Sequence, residues 1–177
     1  MKILTALGIS IGVLAGALCI LCNLLGDTGI SWIAIAAWPG FVAWACYFAI
    51  GGETRKEKLT KVMASNTVGV LWGWVMVFIG VKVLGFMNID GVAAFGVGIA
   101  VVIGAFFLCV EANISILSFV PGAFCGCASA FGFGAAGDAK LIVPLLLSMW
   151  VGAVLALASD VWGNAMVKAP GAAPAKK

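Results

Sequence analysis

Six apolar stretches follow one another along this chain, at about Ile3–Leu25, Ile30–Ile50, Val62–Leu84, Val92–Val110, Ile114–Ala136 and Leu141–Trp162. Each approaches the roughly 20 residues that an α-helix needs to cross the hydrocarbon core of a bilayer. A backbone group in lipid finds no water to bond, so runs of this kind must be helices. The chain has 177 residues, 64% hydrophobic and 10% charged, whereas soluble domains carry about 25% charged residues. That leaves too little polar surface to face water. The fold class is therefore all-α, a polytopic membrane bundle of six transmembrane helices. Residues 1–167 form one domain, and 168–177, built of Ala, Pro, Gly and Lys, form a disordered basic tail. Disorder of the whole chain, nucleic-acid binding and a disulfide-stapled secreted scaffold are excluded.

The positions of Lys and Arg orient the bundle. With both termini cytoplasmic, that side holds Lys2, Arg55, Lys56, Lys58, Lys61, Lys168, Lys176 and Lys177, and the other holds only Lys82 and Lys140. The short loops on the far side carry Asp27, Asp90 and Asp138 instead. Lys2 followed by Ile3–Leu21 could pass for a signal peptide, but no A-x-A-like site follows it. It reads as a retained first span.

Spans 2–3 and 5–6 resemble each other at an offset of 82 residues: Trp38-Pro39-Gly40 aligns with Val120-Pro121-Gly122, and Lys58-Leu59 with Lys140-Leu141. A unit of three spans turns its second copy upside down, giving a three-plus-three inverted repeat with halves at about 1–84 and 85–167. Many channels and secondary transporters share this plan, with a solute site near the midplane between the repeats. Pro39 falls near the middle of span 2 and Pro121 in the first half of span 5. Each removes an N–H and frees a carbonyl, that of Ile35 or Leu117. The following Gly40 and Gly122 let other atoms approach the backbone. A purely structural kink is the competing reading.

Polar residues inside the spans are few. Asn66 fits either an interhelical clamp or a pore lining, since a buried amide without partners costs about 1–3 kcal/mol, and Ser148 is its repeat equivalent. Glu111 falls at a tight turn between spans 4 and 5, with Asn113 capping the next helix. Asp160 lies near the cytoplasmic end of span 6, an interfacial anchor beside Trp162 and Asn164. These two acids are also the candidates for a polar or gating role. Gly8, Gly12 and Gly16 form a small-residue stripe on span 1, as do Gly122, Gly126, Ala130 and Gly134 on span 5, for tight packing within the bundle or between subunits.

There is no His, hence neither the commonest general base nor the commonest metal ligand. The six Cys all lie in apolar stretches and read as small hydrophobes. No nucleophile–base pair, cofactor motif or metal site is evident, so an enzyme is not expected.

The opening Met1-Lys2-Ile3-Leu4-Thr5-Ala6-Leu7-Gly8-Ile9-Ser10 resembles a bacterial inner-membrane family, domain of unknown function 1097. So does Leu117-Ser118-Phe119-Val120-Pro121-Gly122-Ala123-Phe124, continuing to Gly137-Asp138-Ala139-Lys140-Leu141. The resemblance implies a small multi-pass protein of the bacterial cytoplasmic membrane. It supplies no functional residues.

These readings point to a channel or facilitator for a small uncharged or weakly acidic solute, its partners being the lipid bilayer, the solute and further copies in a homo-oligomer. The expected path is Pro39, Gly40, Asn66, Pro121, Gly122 and Ser148. The alternative is a non-transporting membrane subunit that scaffolds a partner complex through the basic loop Arg55–Lys61.

Overall fold

The computed structural model describes residues 1–26, 36–87 and 94–168. Asp27, Trp32, the Ile35 carbonyl, Asp90 and the tail from residue 169 lie outside the described residues. The described residues form six α-helices: α1 (Ile3–Gly26), α2 (Ala37–Ala49), α3 (Arg55–Phe78), α4 (Ala94–Val110), α5 (Val120–Phe133) and α6 (Ile142–Lys168). Among the described residues four segments are long and apolar enough to cross a membrane: Ile3–Leu24, Arg55–Val83, Phe95–Asn113 and Ala139–Lys168. The two shorter helices, α2 and α5, are the two that carry Pro-Gly near their start.

Proline explains their length. Pro39 is the third residue of α2 and Pro121 the second of α5, positions where a missing N–H breaks no helical bond. The expected mid-span kinks are helix starts instead. Ahead of α5 the chain makes two single turns of 3-10 helix, Glu111–Asn113 and Ser115–Leu117, so Leu117 belongs to the approach to the helix. The two prolines also differ in setting, Pro39 being buried and Pro121 exposed.

The longer α3 has a conventional start. Thr54 Oγ1 accepts a hydrogen bond from the Glu57 N–H at 3.3 Å, and the Thr54 N–H donates to Glu57 Oε2 at 2.9 Å. This reciprocal capping satisfies two helix-end donors. At its far end α3 widens into a π-helical turn, Ile79–Val83, where α4 comes closest. A Cβ on Gly80 would stand 2.5 Å from Val97 Cα, and one on Gly96 would stand 2.4 Å from the Gly80 carbonyl oxygen. The absence of side chains there lets the two backbones touch.

Packing is strongest between α3 and α5 and between α2 and α6. Both pairs are parallel. Ser65 and Asn66 meet Gly122 and Gly126, while further along Gly73 meets Ala130. Likewise Gly40 meets Gly152, and Tyr47 meets Asp160. The neighbours α1–α6 and α3–α4 are antiparallel, with Leu7 against Gly163 and Val97 against Gly80. Glycine sets these distances, since a Cβ on Gly152, Gly126 or Gly69 would lie 1.9–2.1 Å from a facing carbonyl oxygen. Lipid offers no hydrophobic force between helices, so such close approach is what holds the bundle. By contrast, Gly8, Gly12 and Gly16 on α1 have nothing within 4 Å. Their stripe is left open to the outside of this chain.

Candidate functional site

Where α3, α4 and α5 meet, the bundle buries polar atoms and leaves them without partners. Asn66 is 0% exposed, and neither its Oδ1 nor its Nδ2 makes a hydrogen bond; adjacent Ser65, also 0% exposed, has an equally unpartnered Oγ. Both residues belong to the α3–α5 crossing, where Gly126 lies against the Asn66 backbone and Gly122 against Ser65 Cβ. The start of α5 thus faces them, with the Phe119 ring closing over Gly122. An unpaired buried polar group costs about 1–3 kcal/mol, and native interiors rarely tolerate several side by side.

Glu111, at Trp72 further along α3, adds a fourth unpartnered polar atom. Its Oε2 accepts a hydrogen bond from Trp72 Nε1 at 3.1 Å, and its Oε1 is buried without a partner. Trp72 stacks on Phe107 of α4, ring centroids 5.3 Å apart. Ser65 and Trp72 are two helical turns apart, on one face of α3. Glu111 opens the 3-10 turn that follows α4, as the expected turn between spans 4 and 5 implied. It reaches Trp72, at the centre of the charge-free run Val62–Val81. Asn113 does not cap α5: its Nδ2 donates back to the Val110 carbonyl at 2.7 Å.

At the contact of α2 and α6, Ser148 is bonded on both sides. Its Oγ donates to the Pro144 carbonyl at 2.8 Å and accepts from the Ala36 N–H at 2.9 Å. It thereby secures the start of α2. Pro39 and Gly40 are buried in this second corner, Gly40 against Gly152. Of the six residues expected along a solute path, Asn66, Pro121 and Gly122 gather at one corner and Pro39, Gly40 and Ser148 at the other.

Asp160 holds a separate polar group. Its Oδ2 accepts from Arg55 Nε at 2.7 Å and from the Tyr47 hydroxyl at 3.2 Å, and its Oδ1 from Asn164 Nδ2 at 2.7 Å. One carboxylate thus ties α2, α3 and α6 together. Nearby, Lys61 Nζ pairs with Glu53 at 2.6 Å. Spacing along the chain gave no signal for the Arg55 and Tyr47 contacts. Trp44 Nε1, buried on α2, is a further unpartnered donor. At the opposite end, a cleft of about 350 Å³ opens between Trp74, Val77, Phe78, Val81, Lys82, Ala136 and Gly137. Among the described residues no group of three acids or thiols could hold a metal.

The family model described as protein of unknown function DUF1097 matches residues 8–164, a segment that includes every residue of both polar groups. The chain belongs to the DUF1097 family. Within it, this chain is 33% identical over 147 residues to inner membrane protein YcdZ of Escherichia coli (strain K12), covering 82% of this chain and 78% of the relative. It is 29% identical over 147 residues to inner membrane protein YcdZ of Salmonella typhimurium (strain LT2), covering 82% and 80%. No solved structure matches it. The apolar helices of this DUF1097 chain agree with the inner-membrane location of those relatives.

Proposed function

We propose that this DUF1097 chain is an inner-membrane facilitator for a small uncharged or weakly acidic solute. The observation that carries the reading is Asn66, fully buried with both amide atoms unpartnered beside an equally unpartnered Ser65. A solute that brings its own donor and acceptor would satisfy these groups in passing, which offsets the cost of burying them. The scarcity of charge inside the spans favours a neutral solute over a multivalent ion.

Six crossings in a three-plus-three inverted repeat, with both termini cytoplasmic, belong to the same reading. Shifting residue numbers by 82 carries the parallel pair α3–α5 onto the pair α6–α2, the two most extensive contacts of the bundle. The antiparallel pairs α1–α6 and α4–α3 correspond in the same way. Three helices per half leave the halves oppositely directed. The Lys and Arg bias supports the orientation, and the open glycine face of α1 supports a homo-oligomer, which Gly12→Leu should dissociate in light-scattering measurements. A scaffolding role through Arg55–Lys61 would have to draw Arg55 from Asp160 and Lys61 from Glu53.

The test is stopped-flow light scattering of proteoliposomes with urea, glycerol and acetamide, and a lumenal pH dye for formic and acetic acid. At least one solute should enter faster than in protein-free vesicles. Equal rates across the whole panel would remove the facilitator reading.

A further inference from the structure

Glu111 poses a problem of charge that the facilitator reading leaves open. Its carboxyl meets Trp72 in the middle of a stretch of α3, Val62–Val81, with no charged side chain. The helix before it, α4, carries none over residues 94–110, and α5 carries none over 120–133. The other titratable groups on these elements are the thiols of Cys109, exposed, and of Cys125 and Cys127. The nearest cations along α3 are Lys61, already paired with Glu53, and Lys82. Each lies about 15 Å of helix rise from Trp72. One N–H from Trp72 is all the stabilisation the carboxyl receives, and its Oε1 is buried with no partner.

A carboxylate so placed has no countercharge and too few donors to remain ionised, and burial of an unpaired charge is relieved by taking up a proton. A metal cation would need several oxygen ligands around it, and no group of three acids or thiols is available among the described residues. From this arrangement we propose that Glu111 is a proton-binding site at the contact of α3 with the turn after α4, neutral at physiological pH, with the proton on Oε1. The neutral acid carries a donor on Oε1, while Oε2 goes on accepting from Trp72. Release breaks only the O–H bond, leaving the electron pair on oxygen and passing the proton to water. The inference does not require transport.

Two readouts on the full-length protein in liposomes test it. A hydrophobic carbodiimide reacts with neutral carboxyls, and peptide mass spectrometry locates the adduct. At about pH 7.5, far above the ordinary Glu value of about 4.3, Glu111 should be modified while the exposed Glu57 is not. Infrared spectra should contain a neutral-carboxyl C=O band at this pH that Glu111→Gln removes and Trp72→Phe retains. Where the reagent fails to reach the site, the band decides. A spectrum that Glu111→Gln leaves unchanged, with Glu111 as unreactive as Glu57, would overturn the proposal. Permeability plays no part in either readout, so loss of the facilitator reading and loss of the proton site are separate results.

Discussion

Arg55 Nε and Asp160 Oδ2 stand 2.7 Å apart, joining the first turn of α3 to α6 across 105 residues of sequence. The two partners are not equivalent. The Arg55 side chain is 49% exposed, and an ion pair open to water contributes at most about 1 kcal/mol. Asp160 also accepts from Asn164 and from Tyr47, a residue with 0% exposure. Asp160→Ala should therefore cost about 1–3 kcal/mol, since it leaves the buried Tyr47 hydroxyl unpaired, and Arg55→Ala should cost less. Thermal unfolding in detergent will rank them. Equal losses would mean that the ion pair, not the wider network, sets the stability.

The helix crossings make a sharper prediction. Gly152→Ala would place a Cβ 2.0 Å from the Gly40 carbonyl oxygen, and Gly126→Ala 2.1 Å from that of Asn66. The obstacle is backbone in each case, so the helices must separate at a cost of about 1–3 kcal/mol or more. Gly12→Ala meets nothing within 4 Å and should lose no stability as a monomer. Denaturation of the three variants in one detergent distinguishes them.

Ser148 and Ser65 should respond oppositely. Ser148→Ala removes the acceptor for the Ala36 N–H and should destabilise by about 1–3 kcal/mol. Ser65→Ala removes a hydroxyl with no partner and should be neutral or stabilising, while slowing solute entry. A protein that is stabilised and less active is what a site held ready for a ligand gives.

If Glu111 titrates at its contact with Trp72, solute movement should respond to protons. Entry of whichever panel solute is transported should change several-fold under an imposed pH gradient in the wild type, and not in Glu111→Gln. Stopped-flow traces with and without the gradient check this.

The helical elements of the bundle were legible because hydropathy marks each apolar run and lipid leaves such a run no other way to bond its backbone. Pro39 and Pro121 were legible as sites of disturbance, but their effect depended on where each helix begins, a matter of a few residues that periodicity does not fix. Asn66 stood out because an amide is rare in such a sequence. Whether it has a partner depends on α5, more than fifty positions away. Glu111 was legible as a charge at the turn after Val110, where α4 does end, but its contact with Trp72, 39 positions away, was not. The Arg55–Asp160 contact was invisible because no local pattern encodes a pairing across 105 residues. The near-contact of Gly126 was only half visible, as part of a stripe without an assigned partner, and that of Gly152 was not visible at all.

The most direct test of the account is the permeability of proteoliposomes carrying wild-type protein, Asn66→Ala, or Asn66→Ala with Ser65→Ala, at equal protein density and verified fold. The account predicts faster entry of at least one small neutral solute for the wild type, a several-fold fall for the single variant, and the protein-free rate for the double variant. Wild-type rates in both variants would contradict it, because the buried Ser65–Asn66 pair would then have no part in passage through the bilayer.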